Sequence, residues 1–259
     1  MVRRSPFPAL LAGAVVAGIV LGGCQDLAQS GHTSEPEDTR DLLIFVFDRS
    51  NSVQEHELTQ ARQLTRDRVN ELEHGDRIVA LELLEESLDE EPRRWSQRVP
   101  NRQFENQEIR RDSVARARFI QDVRDYIVRF SDPEDRGGIS GTDILSTLHL
   151  VASEIQAYPE YRPTLFLYSD MLQANRVMNM EGLVRMPPDN WVQTQAERGT
   201  LPDLEGLCVV IVGARNDTRA SQIIKDFWVE YFEATGATLQ NGNYNYRPVR
   251  LPERPCPGR

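Results

Sequence analysis

The sequence predicts a doubly wound α/β domain on a mostly parallel sheet with one antiparallel edge strand. Three observations carry that prediction. Four short apolar runs are spaced through the middle of the chain, stretches of helical periodicity lie between them, and three of the runs are nearly free of polar residues. A strand covered by helices on both faces has no solvent side, so it reads as continuously apolar rather than alternating. Strand and helix in alternation lead to a parallel sheet.

The first run, "LLIFVF" (42 to 47), is followed by Leu58, Ala61, Val69 and Leu72, which share one face of a helix. "IVALELL" (78 to 84) is the second strand, and the polar "PRRWSQRV" (92 to 99) close behind it adds the antiparallel edge strand. Residues 100 to 113 are charged and read as a surface loop. Ile120, Val123, Ile127 and Phe130 mark the next helix, and Ile144, Leu148, Val151 and Ile155 the one after it. "TLFLYS" (164 to 169) is the third apolar strand and "LCVVIV" (207 to 212) the fourth. Between them, residues 171 to 205 show no convincing helical or strand period, and connections of that length are usually functional or disordered. Ala220, Ile223, Phe227 and Tyr231 form the last helical face, with Gly236 placed to stop it.

The ends have a different character. "MVRRSPFPALLAGAVVAGIVLGGC" opens with two arginines, continues with small apolar residues and finishes on "LGGC", the layout of an export signal. The run from Ala9 to Gly23 is short, and rich in Gly and Ala, for a membrane span of about 20 residues. "LGGC" resembles the lipobox of bacterial lipoproteins. That resemblance implies cleavage after residue 23, with Leu21, Gly22 and Gly23 as recognition residues and a lipid on Cys24. Gln25 stands where an Asp would hold an enteric lipoprotein in the inner membrane, so the expected place is the outer membrane, facing the periplasm. The expected organisation is a signal peptide over 1 to 23, a flexible polar tether over 24 to 40, a domain over 41 to 247 and a Pro-rich extended tail over 248 to 259.

The formal charge is −10, and −12 once Arg3 and Arg4 leave with the signal. A domain this acidic does not track nucleic acid, whose binding depends on Lys and Arg neutralising phosphates. With Cys24 lipidated, Cys208 and Cys256 remain. Cys208 sits in an apolar run, where cysteine behaves as a small hydrophobe. An exported protein can also oxidise such a pair, so both states stay open.

"DRSNS" (48 to 52) follows the first strand directly and puts an acid and two hydroxyls at alternate positions. In a parallel sheet the ligand lies at the carboxyl ends of the strands. Asp48 follows the first strand and Asp170 ends "LFLYSD", so both acids reach the same edge. "GGISGTDILSTL" (137 to 148) adds Thr142 and Asp143 at a helix start, where either could simply be the N-cap. Asp48, Ser50, Ser52, Thr142 and Asp170 together offer only oxygen donors, two of them charged. Hard cations such as Mg²⁺ (or Mn²⁺) accept that set, while zinc and copper favour nitrogen or sulfur.

This pattern resembles the metal-ion-dependent adhesion site of von Willebrand factor type A (vWA) domains, over roughly residues 41 to 240. The resemblance implies direct metal contacts from Ser50 and Ser52, and a contact from Thr142 that is direct or through water. It implies that Asp48 and Asp170 hold coordinating waters, and that the Asp or Glu of a protein partner completes the shell. The family commonly has Gly after the last acid; here it is Met171. Other chemistries find less support. A dehalogenase-like phosphatase wants an acid where Ser50 stands, "HELTQ" lacks the second histidine of a metalloprotease helix, and no G-x-S-x-G elbow is present. The expected function is therefore a membrane-tethered protein-binding domain, not an enzyme. A hydrolase using the same oxygens, or a scaffold with a structural metal, is the alternative. Met178, Met180, Met186 and Trp191 in the long segment are expected to contact the partner, since such residues are typical of adaptable surfaces.

Overall fold

The computed structural model describes residues 40–84, 93–100, 109–130, 141–176, 178–253 and 255–257. The expected signal peptide, Cys24 and nearly all of the tether lie outside them. In chain order the elements are β1 (Asp41–Asp48), α1 (Glu55–Asn70), β2 (Arg77–Leu83), β3 (Arg94–Arg98), α2 (Ile109–Phe130), α3 (Ile144–Ala157), β4 (Arg162–Tyr168), α4 (Trp191–Arg198), β5 (Cys208–Val212), α5 (Arg219–Ala234) and β6 (Thr238–Asn245). The six strands form one sheet in the order β3-β2-β1-β4-β5-β6. Every pairing is parallel except that of β2 with β3. This is the predicted doubly wound α/β sheet with one antiparallel edge strand.

The apolar strands bury two faces at once. Leu42, Ile44 and Val46 of β1 join Val79, Leu81, Leu165, Leu167, Val209 and Ile211 in a core shared with α3 and α5. Leu43, Phe45 and Phe47, with Ile78, Ala80, Phe166, Tyr168 and Val210, form the opposite core, which packs on α1 and α2. On that face the rings of Phe47 and Tyr168 stack at 5.0 Å, and those of Phe45 and Phe166 at 5.2 Å.

Several boundaries differ from the sequence reading. Ile109–Ser113 of the expected loop belong to α2, while residues 101–108 lie outside the described residues. The buried stripe of α5 is Ile224, Phe227, Trp228, Tyr231 and Phe232, so Ala220 and Ile223, expected on it, face solvent. β6 was not expected at all. Its sequence "TLQNGNYN" has little apolar content, and the register with β5 slips between Val209 and Ile211, pairing them with Leu239 and Tyr244. The segment 171 to 205 contains α4, closed by Gly199 in the left-handed conformation at φ 65°.

The Pro-rich tail packs onto the domain. Leu251 is buried in the α1–α2 core, and Asn243 donates to the Pro255 carbonyl at 2.9 Å. Cys208 and Cys256 form a disulfide, which settles the pairing left open above.

Candidate metal centre

The parallel strands deliver the acids to one edge. Asp48 is the last residue of β1 and is fully buried. Its Oδ1 accepts the Ser50 backbone N–H at 2.9 Å, and its Oδ2 accepts the Ser169 hydroxyl at 2.7 Å. Both oxygens are thus engaged by the chain, which suits a carboxylate that orients its surroundings from behind. The first of these bonds also turns the backbone sharply after the strand and brings the next two serines together, with the Ser50 and Ser52 hydroxyls 2.9 Å apart. Arg49, between Asp48 and Ser50 in sequence, points away into the core and pairs with Glu82 of β2.

Asp170 stands two residues past the end of β4, with Ser169 held to the sheet by donation from its N–H to the Val212 carbonyl at 3.0 Å. The Asp170 carboxylate accepts the Leu172 N–H at 3.0 Å and a hydrogen bond from Ser52. Burial, then the charge of Asp48, pushes its pKa up to about 7. Two acids with the hydroxyls of Ser50, Ser52 and Ser169 beside them make an all-oxygen set of the kind a hard divalent cation suits. Ser50, Ser52 and Thr142 are the residues that would hold it. Among the described residues no cluster of three or more His, Cys, Asp or Glu side chains is arranged for a metal. A hydroxyl-based set does not depend on one.

Thr142 arrives from a third direction. Asp143, not Thr142, is the N-cap of α3, accepting the Ser146 N–H at 3.3 Å. The cap reading therefore falls on its neighbour and leaves the Thr142 side chain uncommitted to helix capping. The Asp143 N–H donates to the Leu84 carbonyl at 2.9 Å, which fixes this turn beside the end of β2. Thr142 is buried and exchanges backbone hydrogen bonds with Ala174 at 2.7 and 2.8 Å, tying it to the segment that leaves Asp170. The network is wider than the sequence reading had it. Gln173 and Asn175 both donate to Asp143 Oδ1, at 2.9 and 3.2 Å, and so lock the Thr142 turn to the loop after Asp170. Ser169 was missed too, although the hydroxyl beside the acid in "YSD" was a readable signal; Gln173 and Asn175 had none.

Met171, where the resembled family has Gly, adopts the left-handed conformation at φ 66°. Its side chain is fully buried, its N–H donates to Ser169 Oγ at 3.0 Å, and its carbonyl accepts the Trp228 indole N–H at 2.9 Å. Gly213, at the end of β5, lies against the same turn. A Cβ there would stand 2.9 Å from the Ser169 carbonyl oxygen, and its φ is 108°. Glycine is thus required at 213 for the Ser169–Asp170 turn to sit where it does.

The expectation that Met178 and Met180 meet a partner is corrected here. Met178 and Met180 are buried in the core shared with α3 and α5. Met186 and Trp191 are partly buried against that core, with the Trp191 ring 5.8 Å from Phe227. The segment has to close the end of a core rich in aromatic rings, and unbranched methionine fills the irregular gaps. Among its described large apolar residues, Val184 is 79 % exposed.

No protein-family model matches the chain, and no curated protein matches it. Among solved structures it is similar to the pilus adhesin SpaC of Lactobacillus rhamnosus GG, at 11 % identity and a TM-score of 0.46 over 81 % of this chain and 28 % of that one. It is similar to the manganese-loaded TRAP protein of Plasmodium vivax, at 12 % identity and a TM-score of 0.33 over 71 % of this chain and 62 % of that one. The human COPII-coat protein Sec24c matches at 13 % identity and a TM-score of 0.39, over 82 % of this chain and 30 % of that one. The chain thus spans less than two thirds of each of these proteins.

Proposed function

We propose that this chain is a non-enzymatic protein-binding domain, lipid-anchored through Cys24 in the bacterial cell envelope, that captures a partner's Asp or Glu at a divalent metal. Ser50, Ser52 and Thr142 would hold Mg²⁺ or Mn²⁺, with Asp48 and Asp170 behind them. A bound cation supplies Lewis acidity toward one carboxylate oxygen. The chain's own part is orientation: Ser169 and the Ser50 N–H fix the Asp48 carboxylate, and the Gln173–Asn175–Asp143 network holds the Thr142 turn. The observation that supports this reading best is that Asp48 has both oxygens engaged while the two serine hydroxyls beside it meet each other.

The test is crosslinking in the native envelope, with and without chelator, for the parent and for Asp48→Ala. A crosslinked partner that disappears with chelator and in the variant is the expected result; a partner retained in both overturns the reading. Cys24→Ser should stop incorporation of a labelled fatty acid and misplace the protein on fractionation. Label retained by that variant would rule out the lipid anchor at Cys24. No helix among the described residues is long and apolar enough to cross a membrane.

A further inference from the structure

Beside the oxygen cluster lies a cationic stack that the proposed function leaves unused. Tyr246 follows β6 directly and lines the same cleft as Ser169, Asp170 and Glu57. The guanidinium carbons of Arg215 and Arg247 each lie 4.6 Å from the centroid of its ring. Both guanidinium groups also donate to its hydroxyl, at 3.1 and 3.0 Å, and Arg247 meets His56 Nε2 as well. Both arginines are exposed, and Tyr246 is half-buried.

Among the described residues neither arginine forms a salt bridge, although the chain carries 40 acidic against 30 basic residues. Arg49, Arg68, Arg94 and Arg162, by contrast, are each paired with a carboxylate. Asp217 and Glu57 are near enough to act on Arg215 electrostatically, without pairing with it. Two like charges on one ring repel each other, and an exposed aromatic face relieves only part of that cost. An anion shared between them relieves more, and a planar guanidinium matches a carboxylate through two parallel hydrogen bonds.

We infer that Arg215, Tyr246 and Arg247 form a second anchoring point, which receives a second carboxylate on the partner segment whose first carboxylate goes to the oxygen cluster. The first carboxylate rests on the proposed function; the second rests on the stack itself. The occupant is an acidic peptide rather than a polyphosphate. A nucleic acid backbone extends its charge across a surface that is −10 overall, with Asp170, Glu57 and Asp217 around the pair, whereas an Asp or Glu presents charge at one point.

The experiment uses the full chain purified in detergent and a fluorescein-labelled peptide of alternating Asp and Ser, with an Asn-for-Asp counterpart. Binding is read by anisotropy in Mg²⁺ and in chelator. The acidic peptide should bind and the Asn peptide should not. Arg215→Gln combined with Arg247→Gln should weaken binding on the order of tenfold. Tyr246→Phe, which keeps the ring and removes both hydroxyl contacts, should weaken it less. The inference is overturned if the double variant binds as the parent does, if the parent binds neither peptide, or if it binds both equally. It is equally overturned if a single-stranded oligonucleotide of the same charge competes as well as the acidic peptide. Loss of binding in chelator and in Asp48→Ala but not in the arginine variant would leave the proposed function standing alone. Loss in the arginine variant only, alike with and without Mg²⁺, would leave the stack and remove the metal.

Discussion

Met171 sets two costs against each other, and their sizes can be measured separately. Its φ of 66° places a side chain in the left-handed region, which disfavours a non-glycine residue by roughly 1–2 kcal/mol. Its side chain is fully buried, and truncating a buried methionine to alanine removes about 2–5 kcal/mol. Met171→Ala keeps the backbone cost and loses the packing, so it should fall by that whole amount. Met171→Gly loses the same packing but releases the backbone, and should be more stable than the alanine variant by about 1 kcal/mol. The expected order is parent, then glycine, then alanine, although glycine is the weaker residue at ordinary positions. Guanidinium unfolding followed by tryptophan fluorescence, with the disulfide intact and no divalent metal, reads all three. An alanine variant as stable as the glycine variant would mean the backbone is not held left-handed. A glycine variant matching the parent would mean that the buried thioether contributes no more than the left-handed backbone costs.

Two further outcomes follow from the same region and from the tail. Asp170 keeps its proton in the folded chain up to about pH 7, against an ordinary 3.8. In metal-free buffer its contribution to stability is therefore full below about pH 4 and is lost as pH rises to about 7. Mg²⁺ affinity, read by calorimetry, should rise over that window because cation and proton compete; Asp170→Asn should flatten both profiles, and a parent flat in both would refute the assignment. Cys256→Ser opens a loop of sequence separation 48 and should cost roughly 3–4 kcal/mol in non-reducing denaturation. An unchanged midpoint would show that tail packing alone holds the C-terminus.

What the sequence disclosed depended on how far each side chain acts. Strands such as "LLIFVF" were legible because burial on both faces writes itself into every position. That Asp48, Ser50, Ser52 and Asp170 are neighbours was legible because parallel strands deliver their carboxyl ends to one edge of the sheet. β6 was not legible, because its three central residues are exposed and it holds its place through backbone pairing interrupted by a bulge. The phase of α5 was misread because Ala220 and Ile223 suggested a face that the larger rings of Trp228 and Phe232 override. Met178 and Met180 were misread because composition does not distinguish a surface that adapts to a partner from one that adapts to its own core. Gln173 and Asn175 act through amides on Asp143, a carboxylate some 30 residues away, and no local pattern announces such a contact.

The position of β1 has a mechanical consequence. Residue 40 enters the sheet at one pole, and β1 carries the chain straight to Asp48 at the other, roughly 25 Å away for eight residues. A pull between a partner held at the 48–52 turn and an anchor reached through residue 40 would run along this one central strand. β2 and β4 flank it in parallel over nearly its full length, so their hydrogen bonds lie across the line of force. A strand gripped that way yields by shearing many bonds together, whereas an edge hairpin peels one bond at a time. At its entry the strand is clamped again: Arg162 donates to the Arg40 carbonyl at 2.8 Å, and the Asp41 N–H donates to Asp76 at 2.9 Å. The 48–52 turn and the point of entry are therefore the two ends of one central strand, and tension between them would load its hydrogen bonds in shear.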